Sequence, residues 1–127
     1  MTEELVRLDF PALPAFVGVA RSVVATVATT VEGIDDDRLE DLRLAVSEAC
    51  TNAVETHHDG DHRVVLRCVL ETETLDVHIH DASGGFSAEA IAEQGWGLQL
   101  ITALVDDVAF TRDNGATGVT LRMNLEP

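Results

Sequence analysis

Leu5-Val6-Arg7-Leu8-Asp9-Phe10 alternates partly between apolar and polar positions and stops at Pro11, the pattern of a short strand. From Pro14 the period changes. Phe16, Val19, Ala20, Val23, Val24 and Val27 recur at i, i+3, i+4 and i+7, which is one face of a helix. Many of these residues are β-branched, so propensity is weak and packing must hold the helix; Gly33 is expected to end it. Asp35-Asp36-Asp37 then opens a second helix. Asp37 is placed to cap it with Glu40 three residues on, as in a capping box, and the acids suit the positive end of the helix dipole. Leu39, Leu42, Val46, Ala49 and Ala53 form its core stripe, and the helix should fade near His57-His58-Asp59-Gly60.

Residues 63–71 alternate again, with Val64, Leu66, Cys68 and Leu70 on one face and Arg63, Arg67 and Glu71 on the other. A turn at Thr72-Glu73-Thr74 leads to a strand whose Leu75, Val77 and Ile79 oppose Asp76, His78 and His80, and the short link makes the two an antiparallel hairpin. Ser87–Glu93 fits one or two helical turns. Leu98, Ile101, Leu104, Val105 and Val108 mark a further helix. Strands near Val108–Arg112 and Thr117–Leu125, joined at Asp113-Asn114-Gly115, close the chain. The order β α α β β (α) α β β predicts an α/β (α+β) two-layer sandwich, a mostly antiparallel sheet covered on one face by helices, rather than a parallel dinucleotide-binding unit.

The 127 residues fit one domain, 1–127. Eight basic against 23 acidic residues give a net charge of −15, which argues against direct DNA binding and anionic lipid and either attracts basic partners or only keeps the protein soluble. All eight basic residues are Arg, which excludes a Schiff-base or P-loop lysine. No Tyr is present, and four Phe and one Trp argue against base-stacking platforms. Cys50 and Cys68 form no CxxC pair and sit in apolar patterns, as buried thiols of a reducing compartment do. Without a basic-then-apolar leader or a long apolar run, a cytoplasmic protein off the membrane is expected.

Glu48 and Asn52 stand four apart and share a helix face beside the apolar stripe. The carboxylate could take a proton from a hydroxyl, and the amide oxygen could ligate Mg²⁺; alone, the pair equally describes a solvated surface. Asp81 continues the Leu75, Val77, Ile79 alternation where the strand meets glycines. It is either a turn-forming Asp or an acceptor that reads the amino group of a ligand such as adenine. Gly84-Gly85 follow that strand and Gly95-Trp96-Gly97 open a helix, where backbone N–H groups can meet phosphate. The histidines 57, 58 and 62 match no zinc pattern and read as an exposed loop. Trp96, between glycines, is a lid anchor or a partner contact, the latter favoured because aromatic residues are enriched at interfaces.

In this order the boxes carry a resemblance. Leu42-Arg43-Leu44-Ala45-Val46-Ser47-Glu48-Ala49-Cys50-Thr51-Asn52-Ala53-Val54, His80-Asp81-Ala82-Ser83-Gly84-Gly85-Phe86, Gly95-Trp96-Gly97-Leu98-Gln99-Leu100-Ile101 and Gly115-Ala116-Thr117-Gly118-Val119-Thr120-Leu121 resemble the bacterial anti-sigma-factor serine kinases of the GHKL (Bergerat-fold, histidine-kinase-like) ATPase superfamily. The resemblance implies that Glu48 is the general base for a partner serine, Asn52 ligates Mg²⁺, and Asp81 binds the adenine amino group of ATP with Thr117 in support. Gly85, Gly95 and Gly97 would shape the phosphate and lid region, with Leu98 opening the helix behind it. It further implies a sigma factor held through the N-terminal strand–helix region, an anti-anti-sigma factor as antagonist and substrate, and a homodimer. Two departures are visible: Ser83 replaces the first glycine of D-x-G-x-G, and only Ser87–Gln94 separates Phe86 from Gly95. They leave two functions open, a Mg-ATP-dependent kinase that switches partners and a nucleotide-independent binding module of the same fold.

Overall fold

The computed structural model describes residues 2–56, 62–81, 96–113 and 116–126. Strand β1 (Glu3–Pro11) leads through a 3-10 turn at Pro14–Phe16 to helix α1 (Val17–Ala28) and helix α2 (Asp36–Thr56). The hairpin β2 (Arg63–Leu70) and β3 (Thr74–Asp81) follows, then helix α3 (Trp96–Leu104) and strands β4 (Asp107–Asp113) and β5 (Ala116–Asn124). All pairings are antiparallel, in the order β1-β2-β3-β5-β4, and the helices pack against one face. The expected α+β sandwich is the fold observed. The short helix expected at Ser87–Glu93 and the turn at Asn114-Gly115 lie outside the described residues.

Apolar periodicity explains the core. Leu42, Ala45, Val46, Ala49 and Ala53 of α2 lie over Leu66, Cys68, Leu75, Val77, Ile79 and Leu121 of the sheet, all buried. Burying a Leu or Ile side chain contributes roughly 1.5–3 kcal/mol; the valine-rich α1, weak in propensity, is held by burying Ala20, Val24 and Ala28 in the same core. Cys50 and Cys68 are free and buried, and burial pushes both thiols up to about 12, so they pack as neutral apolar groups.

Four local expectations need correction. The α2 cap is Asp35, whose Oδ1 accepts the Arg38 backbone N–H at 2.8 Å; Glu40 instead pairs with Arg43 at 3.6 Å. Helix α1 stops at Ala28, well before Gly33, because Thr29 and Thr30 turn their hydroxyls onto the carbonyls of Thr26 and Val27. Its buried stripe is Ala20, Val24 and Ala28, while Val19 is exposed. Helix α3 ends at Leu104, and Val108 belongs to β4.

The sheet face away from the helices is less open than alternation suggests. Val65, Val69, Asp76 and Thr120 are all buried there. Long side chains account for this: Arg67 reaches Glu4 at 2.5 Å and Arg63 reaches Asp9 at 2.5 Å. Arg122 clasps Asp76 with two hydrogen bonds, Nε to Oδ1 at 3.0 Å and Nη2 to Oδ2 at 2.9 Å.

Candidate functional site

The geometry starts with how α2 is aimed. At its N-terminal end Arg38 donates to the Asn124 carbonyl at 2.5 Å and to the Asp106 carboxylate, which also accepts the Asn124 N–H at 2.7 Å. These bonds pin the start of α2 to the end of β5. The C-terminal half of α2 therefore runs toward the opposite end of the sheet, where β2 begins, β3 ends and β5 begins.

That end collects the expected site positions. Glu48 is half-buried on α2, and Asn52, one turn on, is 4% exposed. A carboxamide so deeply placed beside Ala49 and Ala53 is a structural or ligand-directed group, not a solvated one. Asp81 is the last residue of β3 and pairs in register with Val64. The β3–β5 ladder pairs His80 with Gly118, so the next residues along the two strands are Asp81 and Thr117. Gly97 and Leu98 lie in the first turn of α3. Gly85 and Gly95 lie outside the described residues, as do Ser83 and the expected loop at 57–61. One sheet end thus brings together the C-terminal half of α2, Asp81, Thr117 and the N-terminus of α3.

Three features escaped the sequence reading. Asp76 is 2% exposed and paired, where alternation predicted a solvent position. Gly118 makes a backbone approach that nothing in its neighbourhood announced; a Cβ there would lie 2.7 Å from the Cβ of His80. A groove of about 510 Å³ between α1 and α2 is lined by Arg21, Glu40, Asp41, Arg43, Leu44 and Ser47. Arg21 Nε is buried without a hydrogen-bond partner among the described residues. His78 contacts the Thr120 hydroxyl at 2.8 Å; burial, then the Arg67 charge, lowers its pKa from the usual value.

The family model for the histidine kinase-like ATPase domain matches residues 10–125. A serine-protein kinase RsbW of Bacillus pumilus is 32% identical, covering 91% of this chain and 83% of the relative. The chain belongs to this family. The serine-protein kinase RsbW of Bacillus subtilis is 30% identical over 90% of the chain and 82% of its own length. Among solved structures, a Mycobacterium tuberculosis protein with RsbU and RsbW domains superposes with a TM-score of 0.66 at 22% identity, covering 94% of this chain. The chain spans 32% of that larger structure, and the likeness supports the fold. Among the described residues no helix is long and apolar enough to cross a membrane, and no cluster of three His, Cys, Asp or Glu side chains forms a metal site.

Proposed function

We propose that the chain is a cytoplasmic anti-sigma factor, one domain over residues 1–127, that sequesters a sigma factor and phosphorylates its anti-anti-sigma antagonist on serine. The observation that carries this reading is the convergence of Glu48, Asn52, Asp81, Thr117 and the α3 N-terminus at one end of the sheet. The donor set fits Mg-ATP: a hard amide oxygen, carboxylates, and helix N–H groups near glycines. Mg-ATP supplies the transferable phosphoryl group when bound.

Asn52 would ligate the metal and Asp81 would accept the adenine amino N–H, with Thr117 beside it. Gly85, Gly95 and Gly97 would let backbone approach the phosphates. Glu48 would take the proton from the attacking serine hydroxyl of the antagonist, whose oxygen would gain the γ-phosphoryl group as the bond from that phosphorus to the bridging oxygen breaks and ADP leaves. No Lys or Arg occurs in residues 82–111, so charge neutralisation there rests on the metal and backbone dipoles. The α1–α2 groove, with exposed Leu44 beside Arg21, offers a surface for sigma factor and antagonist to contest. The −15 charge favours a basic partner, and binding should weaken as salt rises. A homodimer is the expected assembly, checked by light scattering.

The deciding experiment mixes the protein, its antagonist and Mg-ATP and looks for added phosphate by mass spectrometry, beside a sigma-factor pull-down. Nucleotide at 100 times its Kd should stabilise the fold by about 2.7 kcal/mol. Sigma capture with no nucleotide-dependent shift at millimolar ATP would favour the nucleotide-independent module, for which Ser83 in the glycine box is the sequence argument.

A further inference from the structure

The β3–β5 ladder is pinched at its last pair before the candidate adenine site. A Cβ at Gly118 would stand 2.7 Å from the His80 Cβ, 2.8 Å from the Ile79 carbonyl oxygen and 3.3 Å from the His80 Cα. Two of these three atoms are backbone and the third is a Cβ, so no flexible side-chain tip can yield. Relief requires the strands themselves to part by several tenths of an ångström. The next residues on the two strands are Asp81 and Thr117. Elsewhere the ladder carries ordinary side chains, with Val77 opposite Leu121 and Ile79 opposite Val119, both pairs buried. The absence of a side chain therefore falls at the step where the spacing of Asp81 from Thr117 is set.

We propose that Gly118 is a positioning residue for base recognition: its close approach to His80 holds Asp81 and Thr117 at the spacing that selects a purine with a 6-amino group. The inference rests on the reading of Asp81 as the adenine acceptor. A carboxylate rewards an amino donor and repels a carbonyl oxygen at the same position, because one hydrogen bond is charge-assisted and the other is unmade. That discrimination depends on placement to within about 0.5 Å.

The test measures binding of Mg-ATP and of Mg-inosine triphosphate, which carries a carbonyl in place of the 6-amino group, to the full chain. Wild type should prefer ATP by about tenfold or more, the scale of one charge-assisted hydrogen bond. Gly118→Ala should cut that preference at least about fivefold, mainly through weaker ATP binding, as a displaced acceptor requires. Val69→Ala, a core change distant from Asp81 in the ladder, should lower the unfolding midpoint and keep the preference. His80→Gly removes one of the blocking atoms, so His80→Gly/Gly118→Ala should regain part of the preference. Should Gly118→Ala not fold, comparison of His80→Gly with the double variant carries the test.

Equal loss of ATP and inosine triphosphate affinity in Gly118→Ala, or an unchanged preference, overturns the positioning role. A wild type that binds both nucleotides equally overturns the adenine reading of Asp81, and a wild type that binds neither overturns the nucleotide site itself; the inference falls with either.

Discussion

The two ends of the sheet are built on different terms. At one end, Arg38, Asp106, Met123 and Asn124 lock together, the Glu126 N–H bonds the Gly33 carbonyl at 2.9 Å, and the Leu125 N–H bonds the Glu73 carbonyl at 2.9 Å. Gly33 is there because its φ of +100° suits no side chain, and a Cβ would meet the Glu126 carbonyl oxygen at 2.8 Å. This end ties the α1–α2 link, the start of α2, the β2–β3 turn and the end of β5 into one anchor. The other end holds Glu48 and Asn52 of α2 and the strand positions of Asp81 and Thr117. A firm anchor would leave the far end free to serve the proposed nucleotide site at some expense of stability.

The sharpest way to break this contrast is to remove a group from each end. Glu48→Ala should lower phosphate transfer to the antagonist by about 10²–10⁴-fold, the usual scale for a general base. Its unfolding free energy should move by less than about 0.5 kcal/mol, as expected for a half-buried group outside the core. Mass spectrometry and denaturant unfolding read the two quantities separately. Transfer that survives the change removes Glu48 from the base role. At the anchor, Arg38→Ala should cost about 1–3 kcal/mol, because it strips charge-assisted hydrogen bonds from Asp106 and the end of β5. Mg-ATP affinity should stay within about twofold, provided the two ends act separately. A large loss of affinity in Arg38→Ala would mean that the aim of α2 depends continuously on the anchor.

Much of this architecture is legible along the chain because period and burial agree. The α2 stripe from Leu42 to Ala53 and the inward face of β2 at Val64, Leu66 and Cys68 are recovered in the core, with Leu70 partly buried against it. What escapes has a common cause: it depends on residues distant in sequence. Asp35 rather than Asp37 caps α2 because three adjacent acids offer the same local signal and tertiary anchoring at Arg38 selects the frame. Asp76 looks like a solvent position until Arg122, 46 residues on, comes to lie over it. Gly118 reads as one more small residue until His80 faces it. The candidate positions on α2 and β3 are visible along the chain because their spacing is local; their arrival at one end of the sheet is a property of strand order.

The sheet face away from the helices extends the contrast from ends to faces. Arg122→Ala should destabilise by about 1–3 kcal/mol, since Asp76, 2% exposed in the native chain, loses both hydrogen bonds. Asp76→Asn/Arg122→Ala, measured in equilibrium unfolding, should recover part of that loss, because the residual cost is an unpaired buried charge. No recovery would mean that Arg122 contributes mainly by covering Val69 and Thr120 with its stem.

His78 supplies the smallest effect and a change of sign to look for. It lies on this face, bonded to Thr120, with Arg67, Asp76, Arg122 and Glu71 as its charged neighbours. Burial and then Arg67 lower its pKa below the usual 6.5, so the folded chain prefers the neutral ring more than the unfolded chain does. Between the lowered value and 6.5 the unfolded state binds more protons, and stability rises with pH across that window. The contribution is whole above 6.5 and is lost as pH falls through the folded value. In a chain of net charge −15, protonating surface acids should act the other way by relieving repulsion. The comparison must therefore be differential: unfolding midpoints of wild type and His78→Gln, followed from above 6.5 downward, should converge as acid is added, with wild type losing more. Parallel curves would show that His78 titrates alike in both states, and that the Arg67 and Arg122 charges reach solvent rather than the ring.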